Sequence, residues 1–353
     1  MPTLRADWTW CEAMLPAVSR TFALCIRFLP EDLRRSVTLS YLLCRVADTV
    51  EDAPELASAD KAALLARLVG ALDDPTISLE PLHAVFAART DADAHLTARA
   101  ADVLAVFHAQ PVRVRDAVAP WVAEMCRGMA EFAAREPEVG DGVGGRPLRG
   151  LRSEADLDRY CYFVAGTVGR LLTALFAAER PQLSPATIRG LESRAEDFGT
   201  GLQLVNILAD VARDHERGVC YVPEQWRRQA GIGGADLLSA AQRPATRRVL
   251  TALAERARFR LRAARDYCQL LPHGEYQLRL FCLVPYFLAL RTLRALLADP
   301  RYPSAGQRVK VGRSVVHRTL VAAQVCAASN HMLRAYSRRL DGAIDSSQLR
   351  LDA

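Results

Sequence analysis

Apolar residues return every three or four positions over most of this chain, as at Leu64, Leu65, Leu68, Val69 and Leu72. That period belongs to amphipathic helices, and no two-residue alternation runs long enough to build a sheet. The expected fold class is therefore all-α. Punctuation falls at Pro54, at 73–75 (DDP), in the glycine-rich stretch 139–150, between Pro181 and Pro185, at 231–234 (GIGG) and at 299–306 (DPRYPSAG). None of these is a low-complexity linker, and no internal repeat is visible. At 353 residues the chain is long enough for two domains, yet a large helical core can absorb it whole. We expect one helical domain over residues 1–340 and a frayed polar tail over 341–353.

Composition narrows the classes. With 50% hydrophobic and 24% charged residues the chain has the makings of a folded core, which excludes extensive disorder. The net charge of +6 is carried by arginine, since Lys61 and Lys310 are the two lysines among 46 basic residues. Arginine enrichment fits codon bias in the source genome, but arginine is also the residue that grips phosphate through a planar fork of donors. Nine dispersed cysteines with no CxxC pair read as reduced, buried thiols. The first residues carry acids early and lack a secretory pattern. The longest charge-free apolar run of note, 280–290, is far shorter than the roughly 20 residues that span a bilayer. These features predict a cytoplasmic protein without a transmembrane helix, at most peripheral at the inner membrane surface, and no nucleic-acid partner.

Chemistry concentrates in two acidic stretches. Residues 45–52 read RVADTVED and come directly after an apolar helix (SVTLSYLLC). On a helix Asp48 and Asp52 lie one turn apart on the same face, with Glu51 about 60° away. Two such carboxylates repel unless a cation sits between them, and an oxygen-only set on a partly open face suits Mg²⁺. A solvated acidic face would show the same spacing. The second stretch, 203–214, reads QLVNILADVARD. There Gln203, Asn206, Asp210 and Asp214 share one face, and Leu204, Ile207, Leu208 and Val211 flank it. Both sets are embedded in apolar sequence, where unpaired charge is costly. Facing helices of this kind would form a divalent-metal cage for a diphosphate.

These strings resemble the squalene/phytoene synthase family of head-to-head prenyltransferases. The resemblance rests on SRTF (19–22), RVADTVED, YCYFVAGTVG (160–169) and QLVNILADVARD with Tyr221-Val222-Pro223 after it, in the family's order over about residues 15–225. LRLFCLVPYFLALRTL (278–293) and RVKVGRSVV (308–316) are similar to the squalene synthase branch. The resemblance implies an isoprenoid synthase fold around a central active-site cavity, a prenyl diphosphate substrate such as farnesyl diphosphate, Mg²⁺ at both acidic motifs and NADPH as hydride donor. It carries metal-ligand roles onto Asp48, Glu51, Asp52, Asn206, Asp210 and Asp214, and phosphate contacts onto Arg20, Arg45 and Gln203. Tyr160 matches a tyrosine that assists proton removal, and Phe22, Val164 and Gly166 line the prenyl chain. Arg20, Arg45, Lys310 and Arg313 match positions that bind the nicotinamide cofactor.

The chain departs from the family pattern in three places. Ala209 and Val219 stand where the family has diphosphate-binding arginines, and Gly312 stands where the squalene branch has arginine. Arg213 and Arg217 fall about 60° and 20° from Asp210 on a continuing helix and are candidate replacements. The loss at Gly312 leaves room for a product that needs no hydride, namely dehydrosqualene, hydroxysqualene or presqualene diphosphate. Condensation of geranylgeranyl diphosphate and an inactive scaffold remain alternatives. His215 reads as an exposed residue at a helix end.

Overall fold

The computed structural model describes residues 2–135, 148–306 and 312–349. Among them the backbone forms α1 (Pro2–Val18), α2 (Arg20–Ile26), α3 (Glu31–Asp52), α4 (Ser58–Asp73), α5 (Glu80–Phe86), α6 (Ala92–Ala98), α7 (Ala100–His108) and α8 (Val112–Ala133). Then come α9 (Glu154–Cys161), α10 (Thr167–Glu179), α11 (Pro185–Glu216), α12 (Glu224–Gln229), α13 (Arg243–Leu270), α14 (Tyr276–Ala298), α15 (Arg313–Ala327) and α16 (Asn330–Leu349). A π-helical turn, Tyr162–Gly166, joins α9 to α10. Two-residue strands β1 (Arg149–Gly150) and β2 (Val219–Cys220) pair in parallel. The chain is all-α, as its periodicity predicts. It divides into two compact units, Met1–Arg135 with Gly166–Glu196, and Glu136–Ala165 with Asp197–Ala353.

In the first unit α3 is the central element, packed by α1, α6, α7, α8 and α10. Leu33, Leu42, Leu43, Val46 and Val50 are fully buried, each stabilising the fold by about 1.5–3 kcal/mol. Its buried Ser40 and Thr49 hydroxyls donate to the carbonyls of Ser36 (2.8 Å) and Arg45 (2.7 Å), so neither hydroxyl is stranded. Pro54 disfavours helix at Ala53, whose ψ of 108° ends α3 one residue after Asp52. Lys61, itself buried, donates to the carbonyl of Glu51 and holds that helix end down.

In the second unit α14 is buried along most of its length, with α13, α15 and α16 packed around it. Arg279 lies at the centre with no exposed surface and donates to the carbonyls of Ala327 (2.7 Å) and Cys268 (3.1 Å) and to Asn330 Oδ1 (2.6 Å). Buried charge is tolerated there because the guanidinium caps the carbonyl ends of two helices. All nine cysteines are buried free thiols.

Two features bear on the tail and on membrane spans. Within the expected tail, α16 is helical to Leu349, with the Asp341 pair to buried Arg258 (2.8 Å) and fully buried Ile344 as anchors. Polar sequence concealed both anchors. In addition, Glu154–Glu179 and Tyr276–Ala298 are long and apolar enough by length and composition to cross a membrane. Counting unbroken apolar runs missed them, since a run ends at every charge. The second is a core helix, with 67% of its most apolar window buried.

Candidate active site

The first acidic set closes α3 in the first unit. Asp48 and Glu51 are half-buried and Asp52 is exposed. One turn before Asp48, Arg45 donates to the Tyr41 hydroxyl (2.8 Å) and lies 3.7 Å from Asp48 and 3.9 Å from Asp93 of α6. Its guanidinium also sits 5.6 Å from the Tyr41 ring, and Phe22 packs on that ring at 5.7 Å. Burial pushes the Asp48 carboxyl up to about 6, Arg45 opposes the rise, and Asp52 and Asp93 add to it. Burial likewise raises Asp93, whose Oδ1 is shielded from water with no hydrogen-bond donor. Asp48 nevertheless keeps 36% of its side-chain surface open.

Ser19 caps α2 by accepting the Phe22 N–H (3.2 Å), so the SRTF string is a helix start that aims Phe22 at Tyr41. Arg20 is the first residue of that helix. Sequence reasoning missed Tyr41 and Asp93. Tyr41 was within reach, since it precedes Arg45 by one helical turn. Asp93 comes from a distant helix and leaves no signal in the period of α3.

The second acidic set lies in the second unit, on α11. Gln203 and Asp214 are half-buried, and Asn206 and Asp210 are exposed. Asn206 donates to Gln203 Oε1 at 3.4 Å. Of the two candidate arginines, Arg217 reaches Asp214 at 3.8 Å. Arg213 is exposed and has no ion-pair partner among the described residues. Ala209 is half-buried beside this row. His215 is buried rather than exposed, because its Nε2 bonds the Gly234 carbonyl at 2.8 Å and pins the helix end to a loop.

Tyr160 owes its placement to the chain on either side of a short parallel ladder. Gly218 takes φ 76°, a left-handed turn that ends α11. The chain then enters β2, and Arg149 N donates to the Gly218 carbonyl (2.8 Å) as β1 pairs alongside. Four residues beyond β1, Glu154 opens α9 under a capping box made by Ser153 and Asp156. Arg256 of α13 pairs with Glu154 and Asp158 and fixes the rotation of α9. Tyr160 is thereby stacked on Tyr221, with ring centroids 4.7 Å apart and hydroxyls 3.0 Å apart. The sequence motif placed Tyr221 as a landmark and gave no hint of this contact. Val164 and Gly166 lie in the π-helical turn just after Tyr160, and such turns recur at functional sites because they break the regular hydrogen-bond ladder.

Lys310 falls outside the described residues. Arg313 opens α15 behind Gly312, is exposed, and lies at a helix start with no side-chain cap. An uncapped helix start with an arginine has the donor set of a phosphate site, which fits the phosphates of NADPH.

Among the described residues no three or more His, Cys, Asp or Glu side chains converge on one point, so neither acidic helix is a closed cage. The donors fit Mg²⁺ even so. They are oxygens on half-open surfaces, and Mg²⁺ is commonly held by one or two carboxylates with water and substrate phosphate completing the shell. A cation beside Asp48 would also offset the burial and, after it, the repulsion from Asp52 and Asp93 that raise its pKa.

The chain belongs to the squalene/phytoene synthase family of enzymes, whose profile matches residues 15–315. Within that family it is similar to squalene synthases. The protein of Eremothecium gossypii is 28% identical over 354 residues, covering 98% of this chain and 75% of that protein. Squalene synthase BSS of Botryococcus braunii is 33% identical over 212 residues, or 59% of this chain and 41% of that protein. The chain also spans about half, 53%, of the squalene synthase of Mycosarcoma maydis. Among solved structures, a TcSQS–ligand complex superposes with a TM-score of 0.79 at 21% identity over 98% of this chain and 99% of that one. A ligand-bound dehydrosqualene synthase gives 0.62 at 21% identity over 91% of this chain and 96% of that one. These likenesses establish the isoprenoid synthase fold.

Proposed function

We propose that the protein condenses two farnesyl diphosphates head to head, by way of presqualene diphosphate, and reduces the product to squalene with NADPH. The observation that carries this reading is the cluster of Arg45 with Asp48, Asp52 and Asp93, which gathers three carboxylates about one arginine. Family membership supports it.

Each acidic helix supplies ligands to Mg²⁺: Asp48, Glu51 and Asp52 on α3, and Asn206, Asp210 and Asp214 on α11 with Gln203 beside them. When bound, the ions supply the charge neutralisation that lets diphosphate leave. The C1–O bond of one substrate breaks with both electrons going to the diphosphate; Arg45 binds and orients a diphosphate beside α3, and Arg217 does so beside α11. The allylic cation left behind adds to the C2–C3 double bond of the second substrate, and loss of a proton closes the cyclopropane. Tyr160, its hydroxyl oriented by the 3.0 Å hydrogen bond to Tyr221, is placed to relay that proton to the released diphosphate, which is its final acceptor. Phe22, Val164 and Gly166 contact the prenyl chains and exclude water that would quench the cation. Arg20, Lys310 and Arg313 bind phosphates of NADPH.

Incubation with farnesyl diphosphate and Mg²⁺, with and without NADPH, and then mass spectrometry of the lipids tests the proposal. Squalene formed only with NADPH is expected. Asp48→Asn and Asp210→Asn should each abolish turnover, and retained activity in both would remove the mechanism. A second reading, a hydride-free thirty-carbon product, is favoured by Gly312 in place of arginine, and formation of the same product without NADPH would select it.

A further inference from the structure

The basic excess of this chain is not spread over it. Between Asp299 and Asp341 there is no Asp or Glu, while eight Arg or Lys residues give the stretch a formal +8. The whole chain is formally +6, which leaves −2 for everything else. The described part of the stretch folds as α15 and the first turns of α16, which pack on each other and on α14. Thr319, Ala323, Cys326 and Leu333 face inward and are buried.

The outward faces are unusual in a second way. Large apolar side chains are rarely open to solvent here, yet Val321 (47% exposed), Val325 (50%) and Met332 (44%) all lie on this helical pair. Arg318, Val321 and Val325 fall within about 60° on α15, and Met332 and Arg339 within about 20° on α16. Arg318, Arg338 and Arg339 are exposed, and none forms an ion pair among the described residues. A solvated basic face has no use for open valines, and a core-facing stripe has no use for unpaired arginines.

We propose that the outer face of α15 and α16 is a docking surface for an anionic lipid bilayer. Charge complementarity selects the occupant: an acid-free arginine field matches a surface of phosphate headgroups, and the aliphatic side chains among the arginines reach the acyl boundary beneath them. A nucleic acid would satisfy the arginines but would gain nothing from Val321, Val325 and Met332, which offer no aromatic platform for bases. Lys310 and Arg313 of this basic stretch belong to the NADPH proposal, and the docking surface is tested without them, at residues that have no part in the chemistry. Failed catalysis would leave it standing, and failed docking would leave the chemistry standing.

The test is co-sedimentation of the full chain with vesicles of phosphatidylcholine alone or mixed with phosphatidylglycerol. The expected result is binding to the mixed vesicles that weakens with salt, and little binding to phosphatidylcholine. Each arginine near an anionic surface strengthens partitioning about fivefold. Arg318→Glu with Arg338→Glu and Arg339→Glu should therefore lower binding by about a hundredfold or more. Val321→Ser with Val325→Ser and Met332→Ser should weaken it while leaving every charge in place. Circular dichroism checks that both variants are folded. Absence of binding by the parent protein overturns the proposal, as does full binding by the folded arginine variant. Full binding by the serine variant, together with equal binding of the parent to duplex DNA, would show a plain polyanion patch and overturn it too. So would lipid-free self-association of the parent that the variants abolish, since the face would then belong to a second copy.

Discussion

Replacing Asp48 by Asn should make the metal-free protein more stable while removing its proposed activity. The Asp48 carboxyl is raised from 3.8 to about 6, chiefly by burial, with Asp52 and Asp93 adding repulsion that Arg45 only partly offsets. Fully desolvated, such a rise corresponds to about 3 kcal/mol against the charged form. The side chain is 36% exposed, so solvent screening brings the expected gain down to about 1–1.5 kcal/mol. A carboxyl whose pKa is raised by folding binds its proton more tightly in the folded state. Stability is therefore highest below 3.8, falls as pH rises to about 6, and stays low above that. Asparagine carries no charge to lose. Its advantage should be absent below 3.8, grow through this window and be complete above about 6. Urea denaturation in EDTA at several pH values measures it. Equal gains at acid and neutral pH, or a loss of stability at neutral pH, would refute the electrostatic reasoning.

Other substitutions probe other parts of the site. Tyr221→Phe removes the hydroxyl that receives from Tyr160 without emptying the stack, so turnover should fall about tenfold to a hundredfold with the unfolding midpoint little changed. Arg217→Ala should cost about a hundredfold in turnover, and Arg213→Ala, exposed and unpaired, should stay near the parent; unchanged activity of the Arg217 variant would dismiss it as a replacement for the missing family arginines. Lys61→Met should destabilise the protein by about 1.5–3 kcal/mol, because a charged donor is withdrawn from the Glu51 carbonyl, and should weaken Mg²⁺ activation as the end of α3 loosens. No change in either readout would show that Lys61 does not hold that helix end.

What could be read from the sequence was whatever repeats along one helix. The 3.6-residue period gave the fold class, and it placed Asp48 near Asp52 and Asn206, Asp210 and Asp214 in one row, because both are properties of a single element. Residues that meet through tertiary structure stayed hidden. Asp93 reaches Arg45 from α6, and Tyr221 reaches Tyr160 only because Gly218 turns the chain into β2. His215 shows the same limit in reverse: a polar residue at a helix end looks exposed until a loop carbonyl, here that of Gly234, closes over it. The C-terminal helices show the limit too, since Arg258, the buried partner of Asp341, and the acid-free span before that residue matter only once the helices lie together.

On the proposed chemistry, the way Arg45 is held explains why it needs two aspartates. An arginine that must meet a diphosphate works best when its fork is oriented beforehand, since a free side chain would lose its rotamer entropy at the moment of binding. Tyr41 provides that orientation through a hydrogen bond and its ring face. A tightly paired carboxylate would hold the guanidinium too well and compete with the substrate. Asp48 and Asp93 instead stand off at 3.7 and 3.9 Å, beyond good hydrogen-bond distance, and remain 36% and 46% exposed. They keep Arg45 charged and centred while giving up little when phosphate oxygens arrive. The raised pKa of Asp48 is the cost of that arrangement, and a bound cation removes it. On this proposal the raised pKa of Asp48 and the readiness to bind metal and diphosphate come from one half-buried set of groups.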